Sequence, residues 1–263
     1  MGIKGDILCA QDILRELKYK EYDPVVYDVI DSTNLLLKRQ AADGCVKKKL
    51  VVADRQTMGR GRLGRSFESP SVSGIYMSLL IPTGKGEELL LITSAAAVAV
   101  CRAIKEVCGI DSSIKWVNDI YVHGKKVCGI LAEAVNDEAG ELKVILGIGI
   151  NVATDSGRFS DKVRDVAGAL YDEMPDNVTR NSLIAAVVNN FMDIYVHITD
   201  REYLEDYRRW SMVTGKNIRY RAGDEWYTGK AVDIDNDGGL VVMTAEGMVT
   251  LNTGEISVRL ENG

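Results

Sequence analysis

Apolar positions recur at helical spacing between Asp6 and Lys20, where Ile7, Leu14 and Leu17 form a stripe that Cys9, Ala10 and Ile13 widen. Pro24 then leads into a strand-like run, Val25–Ile30, and Asp31-Ser32-Thr33-Asn34 opens a short helix that should stop at Gly44. Leu50–Ala53 has the character of a buried strand. After a loop rich in glycine and arginine comes a second strand, Gly74–Ile81, closed by Pro82. Leu89–Val107 is Ala-rich and almost wholly apolar, which predicts a helix lying under a sheet and ended by Gly109. From Ile114 to Val152 the pattern turns to β, in segments broken at His123-Gly124 and at Asn136–Gly140. Short links between three such strands predict an antiparallel meander. A second long helix is predicted over Ser182–Trp210, with Leu183, Val187, Phe191, Ile194 and Tyr195 on one face.

The pattern changes after Trp210. Asn217–Arg221, Glu225–Ile234, Leu240–Thr244, Met248–Asn252 and Ile256–Leu260 are short strands whose connectors are rich in turn residues. Five strands in about fifty residues predict a small closed barrel. The chain therefore divides near residue 212, with a larger α+β domain over 1–211 and a small C-terminal β domain over 212–263.

Composition narrows the function. At 263 residues the chain can bury a core without staples. Its 32 Lys+Arg against 38 Asp+Glu leave a net charge of −6, a poor footprint for duplex DNA or an anionic membrane. The five cysteines (Cys9, Cys45, Cys101, Cys108, Cys128) are scattered and form no C-x-x-C, so neither a disulfide framework nor a zinc ribbon is expected. Cys101 and Cys108, on one apolar helix, read as core packing. Of the two histidines, His123 falls in a turn and His197 on the second long helix, which leaves no basis for a His or Cys metal site. With no signal-like segment and no span of ~18 apolar residues, the expectation is a cytoplasmic protein.

Three segments carry chemistry. The first is Gln56-Thr57-Met58-Gly59-Arg60-Gly61-Arg62-Leu63-Gly64-Arg65, which contains a literal G-x-G-x-x-G and comes within one residue of a P-loop. Both motifs must open a helix whose N-terminal amides hold phosphate, and Ser66-Phe67-Glu68-Ser69-Pro70 cannot start one. A kinase reading also lacks its downstream Ala-x-Lys and H-R-D. Glycine lets a backbone approach a ligand closely and arginine offers a fork for phosphate or carboxylate, so the loop is expected to be mobile until an anion arrives. As a bare segment it could equally be a solvated surface loop. The second segment is Lys115-Trp116-Val117-Asn118-Asp119 with Gly124-Lys125-Lys126-Val127 on the adjacent strand, which would set Lys126 near an acid and an amide. A lysine there can offset the charge that develops when a carboxylate attacks phosphorus, whereas a plain hairpin would use Lys125 and Lys126 only for solubility. The third is Asp31-Ser32-Thr33-Asn34, either a helix cap or a set of hydrogen-bonding groups for a polar headgroup.

In this order and at these intervals, the three segments together with Gly129-Ile130-Leu131 and Gly147-Ile148-Gly149-Ile150-Asn151 resemble the catalytic core of a biotin protein ligase. The resemblance spans about residues 31–152, and the C-terminal barrel fits it. Departures are Val117 in place of proline, Phe67 in place of tryptophan, and Cys128 and Met58 in place of alanine; none removes a charged or hydrogen-bonding group. The resemblance implies a mixed, largely antiparallel sheet flanked by helices, as in class II aminoacyl-tRNA synthetases, followed by an SH3-like barrel. It implies a two-step reaction in which biotin and MgATP give biotinyl-5′-AMP and pyrophosphate, after which a lysine of a carboxylase's biotin carrier domain takes the biotin.

By the same resemblance, Ser32, Thr33, Asn34 and Gln56 would hold biotin, with Arg60, Gly61 and Arg62 folding over it and Lys126 bridging carboxylate and phosphate. Arg60, Arg62, Arg65, Phe67, Lys115, Asn118 and Asn151 would serve ATP. Lys126, Arg62 and Asp119 would be catalytic, Asp119 orienting the incoming lysine or helping to hold Mg²⁺. A lipoate or octanoate protein ligase shares the fold and is the nearest alternative, and a non-catalytic biotin sensor is another. About thirty residues precede Asp31, too few for the DNA-binding module of bifunctional members, so no DNA partner is expected. A homodimer is compatible with the resemblance.

Overall fold

The computed structural model describes residues 6–44, 48–72, 74–82, 89–136, 140–153, 166–252 and 257–260. Cys45 and Ile256 lie outside them. Strands β1 (Asp23–Ile30), β2 (Lys49–Gln56), β3 (Gly74–Pro82), β4 (Ser113–Lys115), β5 (Asp119–Val122), β6 (Lys125–Asn136) and β7 (Leu142–Asn151) form one sheet in the order β1-β2-β3-β7-β6-β5-β4. Only β1 and β2 are parallel, joined through helix α2 (Thr33–Ala42); every other pair is antiparallel. The run expected as one strand from Ile114 is two, because Trp116–Asn118 form the turn of a tight β4–β5 hairpin. At His123-Gly124 both residues adopt positive φ (49° and 75°), the conformation a two-residue hairpin turn needs.

The sheet buries both faces, unequally. Helices α1 (Ala10–Glu16), α3 (Leu89–Ala103) and α4 (Arg180–Tyr195) cover one side, where Ile75, Met77, Leu79, Leu146 and Ile148 meet the Ala-rich α3. On the other side α2 packs Leu37 and Ala41 on Val51, Leu80 and Ile145. Alternate residues share a face, so that second side also carries Leu131, Gly147 and Ser78 in one cross-strand row and Asp119, Gly129, Gly149 and Tyr76 in the next. With glycines at the centre of both rows, the sheet is left hollow beside α2.

Two helices are shorter than the apolar pattern predicts. α1 does not span Asp6–Lys20, because α4 claims both its flanks: Arg180 takes the Asp6 carboxylate and carbonyl, Cys9 N donates to Asn181, and Lys18 N donates to Asn189. The helix expected over Ser182–Trp210 is broken after Tyr195. Arg201 sits at φ 63° and spends its guanidinium on the carbonyls of Ile198 and Asn236, and helix α5 (Tyr203–Trp210) starts afresh in a new direction. His197 is therefore in the break, exposed, rather than on a helix. The end of α3 follows expectation, with a wider turn over Ile104–Cys108 stopping at Gly109 in the left-handed region. Cys101 is buried and Cys108 half-buried in the core.

Strands β8 (Asn217–Ala222), β9 (Glu225–Ile234), β10 (Leu240–Thr244), β11 (Gly247–Leu251) and β12 (Ser257–Leu260) form an antiparallel sheet in the order β11-β10-β9-β8-β12. β11 and β12 are its edges among the described residues. This sheet docks on the first through Met212 N to Ile114 O (2.9 Å), Trp116 Nε1 to Gly238 O (3.0 Å) and Arg208 Nε to Ile234 O (2.7 Å). Among the described residues no helix is long and apolar enough to cross a membrane.

Candidate active site

The hollow beside α2 is a cavity of about 230 Å³. Ser32, Thr33 and Asn34 close it at the start of α2, Gln56 at the end of β2, and the glycine–arginine loop with Phe67 forms its outer wall. Ser32 is the N-cap residue of α2 but makes no side-chain cap, so the capping role that its position suggested is not what occupies it. Gln56 Oε1 accepts from Thr33 N (2.9 Å) and Gln56 Nε2 donates to Ser69 Oγ (3.0 Å), tying the helix start to the irregular segment that follows the loop. Asp31 stands behind, paired with Arg39 at 2.7 Å; that hydrogen bond holds its carboxyl below the usual range.

The loop folds back on itself. Arg60 and Ser66 bridge, Arg62–Gly64 make a single 3₁₀ turn with Leu63 at φ 56°, and no helix follows Gly64, which removes the P-loop and dinucleotide readings. Arg62 reaches inward and donates to Asn118 Oδ1 (2.6 Å), while Asn118 Nδ2 donates to Ile130 O (2.7 Å). Burial pulls the Arg62 pKa down, partly opposed by Asp119. Arg60 and Arg65 line the same cavity from more exposed positions.

Lys126 enters by way of a β-bulge. A regular β5–β6 ladder would put Lys126 opposite Val122, facing the core; a register shift after Ile120 moves it opposite Tyr121 and so onto the face of Asp119. Its Nζ lies 2.5 Å from Asp119 Oδ1. Lys125, by contrast, is exposed, and the solubility reading suits it alone. Lys115 pairs with Asp119 across β4–β5 and lies 5.7 Å from the Tyr121 ring centroid. Burial lowers the Lys115 pKa; Asp119 opposes this, while Lys126, Arg259 and Arg65 add to it as like charges. The cavity thus gathers six cations, Arg259 among them, around one carboxylate, an arrangement that calls for an anionic ligand.

Of the residues singled out from sequence, the structure leaves Asn151 outside the cavity. Its amide donates to Gly168 O (2.9 Å), and the same segment brackets Lys126 through Lys126 N to Val166 O (2.9 Å) and Gly168 N to Lys126 O (2.8 Å). Asn151 therefore braces the strand that carries Lys126.

Residues 26–151 match the Biotin/lipoate A/B protein ligase family, and residues 213–259 match the Biotin protein ligase C terminal domain. Over 246 residues the chain is 34% identical to the bifunctional ligase/repressor BirA of Bacillus subtilis, covering 89% of this chain and 73% of that protein. The chain belongs to the biotin protein ligase family. It is also 27% identical to the biotin–[acetyl-CoA-carboxylase] ligase of Mycobacterium tuberculosis, covering 86% of this chain and 85% of the relative. Among solved structures, the biotin protein ligase from Aquifex aeolicus in complex with biotin and ATP is similar at a TM-score of 0.79 and 30% identity, over 90% of this chain and 99% of that one.

Placing this chain among biotin protein ligases does not explain why its cavity has the shape it has; several residues without a sequence signal of their own do. A side chain at Gly149 would put its Cβ 2.6 Å from the Phe67 ring, and one at Gly147 would collide with the Asn34 amide, so both positions must be glycine for the wall and the helix start to approach the sheet. Ser78, Glu133 and Arg259 were also missed. Ser78 and Glu133 look like ordinary strand residues until the register sets them beside α2, and Arg259 reaches the cavity from the second sheet.

Proposed function

We propose that this cavity activates biotin with MgATP to biotinyl-5′-AMP and pyrophosphate, and that the protein then transfers the biotinyl group to a lysine of a carboxylase's biotin carrier protein or domain. The observation that carries the reading is the joining of a neutral hydrogen-bonding pocket (Ser32, Thr33, Asn34, Gln56) to a cationic one (Arg60, Arg62, Arg65, Lys115, Lys126) in one cavity. The first suits an uncharged polar headgroup, the second a carboxylate meeting a polyphosphate.

In the first step a carboxylate oxygen attacks the α-phosphorus, a P–O bond forms and the bond to pyrophosphate breaks. Negative charge gathers on the phosphoryl oxygens, where Arg62, and Lys126 once it turns from Asp119, would offset it. Phe67 offers a ring edge to the nucleotide; Lys115 and Asn118 lie on the same side. In the second step the acceptor lysine nitrogen attacks the carbonyl carbon of the mixed anhydride, forming an amide and expelling AMP. Asp119 orients that amine once Lys126 has turned toward phosphate. The glycine–arginine loop keeps water from the anhydride between the steps.

Mg²⁺ fits as a companion of ATP. Among the described residues no cluster of His, Cys, Asp and Glu could cage a metal, and Asp119 is the carboxylate lining the cavity. One carboxylate plus substrate phosphates is how Mg²⁺ is commonly held. The proposed location is the cytoplasm, where ATP and free biotin are available. The repressor activity in the name of the Bacillus relative is not assigned to this chain.

The test is pyrophosphate release from MgATP, with biotin and lipoate in parallel and Lys126→Ala beside wild type. Release with biotin alone, lost in the variant, is the expected result. Release with lipoate instead would replace the substrate, and release with neither would sink the catalytic reading.

A further inference from the structure

Behind the proposed biotin pocket runs a chain of hydrogen bonds whose direction can be counted. Lys38 Nζ lies 2.6 Å from Glu133 Oε1, and the other carboxylate oxygen, Oε2, is 2.8 Å from Asn34 Nδ2. Asn34 Oδ1 is 2.6 Å from Ser78 Oγ, and Ser78 Oγ is 2.7 Å from Thr33 Oγ1. Asn34, Ser78 and Thr33 are buried, and only Thr33 and Asn34 line the cavity.

An ionised carboxylate only accepts, and an ammonium only donates. Glu133 must therefore receive the Asn34 amide hydrogen, which turns the Asn34 oxygen toward Ser78. Two oxygen–oxygen contacts this short need two protons. Ser78 has one, and it goes to Asn34; the proton between Ser78 and Thr33 must then be the Thr33 hydroxyl's own. Gln56 Oε1, 3.2 Å from Thr33 Oγ1, is left with the Thr33 backbone N–H at 2.9 Å. Thr33 meets the cavity with lone pairs only.

We propose that Glu133, clamped by Lys38, is a positioning residue that sets the direction of this chain, so that Thr33 presents an acceptor and the pocket selects a ligand bearing an N–H donor such as a cyclic urea. The proposal rests on the biotin reading above. The carboxyl stays ionised as required: burial pushes its pKa up, but the hydrogen bonds from Asn34 and Lys38 outweigh that and hold it below the ordinary glutamate value. Close packing of the Asn34 amide on Gly147 leaves it no room to swing away.

Glu133→Gln tests direction rather than mere presence. Glutamine has one acceptor oxygen; Lys38 claims it and the NH₂ turns to Asn34. Asn34 then flips and Ser78 donates to Thr33, which gives up one of the two lone pairs it offered the cavity and turns its proton to the cavity or to Gln56 Oε1, 3.2 Å away. The expected result is a KM for biotin about 10- to 100-fold higher, as for a lost hydrogen bond to a buried group, with kcat changed by less than about threefold. Adding Lys38→Met frees the glutamine oxygen for Asn34 and should recover most of the loss. A purely structural role predicts the reverse, a double variant no better than the single one, and that result overturns the proposal. So does a biotin KM unchanged in Glu133→Gln while wild type is active, which leaves the biotin reading intact. Wild type inactive with biotin would overturn both. Should Glu133→Gln fold poorly, Ser78→Ala breaks the chain at an uncharged residue, and a biotin KM within about twofold of wild type there counts against the relay.

Discussion

At the scale of single residues, the site works because small side chains make room for large ones. Gly149→Ala would drive a methyl into Phe67 and push the ring out of the cavity wall; the expected outcome is a rise of about tenfold or more in the KM for ATP, for loss of a close-packed contact of about 1–2 kcal/mol, with biotin affinity less affected. If Lys126 stabilises the reacting phosphate as proposed, Lys126→Ala is expected to lower kcat by about 10²–10³, the cost of one lost electrostatic stabiliser. Asp119→Asn separates the steps. If Asp119 orients the acceptor amine, transfer from preformed biotinyl-5′-AMP slows while adenylate formation is less affected; equal rates in the transfer assay would remove that role. These residues were legible from their types and order. The glycines beneath Phe67 and Asn34 were visible as letters but not as a floor, because what a missing Cβ makes room for depends on which element lies above it.

At the scale of elements, the α1–α4 contact differs from what periodicity suggests, while the mobility expected of the glycine–arginine loop without an anion calls for a direct test. Arg62 hydrogen-bonds Asn118 and a 3₁₀ turn shapes the tip. Arg60 and Arg65 remain exposed, so trypsin should cut there, and biotin plus ATP should slow the cut as both side chains turn inward. Equal rates with and without ligands would mean the loop closes on nothing. The buried Arg180, 2% exposed, joins α4 to Asp6 and Asp54 at 2.7 Å each. Arg180→Ala would strand both carboxylates, and urea unfolding should show a loss of about 3–5 kcal/mol. Helical spacing alone extended α1 and merged α4 with α5, since periodicity cannot register a side chain that competes for the backbone of a neighbour.

At the scale of the whole molecule, the two sheets share the site. Trp116 lines the cavity and is anchored to Gly238 of the second sheet, and Arg259 of β12 lines the same cavity. The core that unites them holds its thiols inert. Burial pushes Cys101 up to about 12 and Cys128 upward as well, with Lys126 opposing only in part. Both thiols are protonated in the native state at any pH below those values, so iodoacetamide at pH 8 should label neither until the protein unfolds, a result peptide mapping can check.

The pattern of apolar positions indicated most of the order of elements, a two-part division and an antiparallel meander after Ile114, because burial requires a periodicity that local sequence records. The identity of the reacting groups was equally local: Lys126, Asp119 and the interleaved arginines are chemically eloquent wherever they fall. Their convergence belonged to the tertiary structure. A one-residue bulge after Ile120 decides whether Lys126 faces the cavity or the core, and the register across the sheet decides that Glu133 and Ser78 stand behind Thr33. Turn geometry and the buried face set each pairwise register, but which side chains the summed pairings bring beside α2 depends on strands remote from one another in sequence.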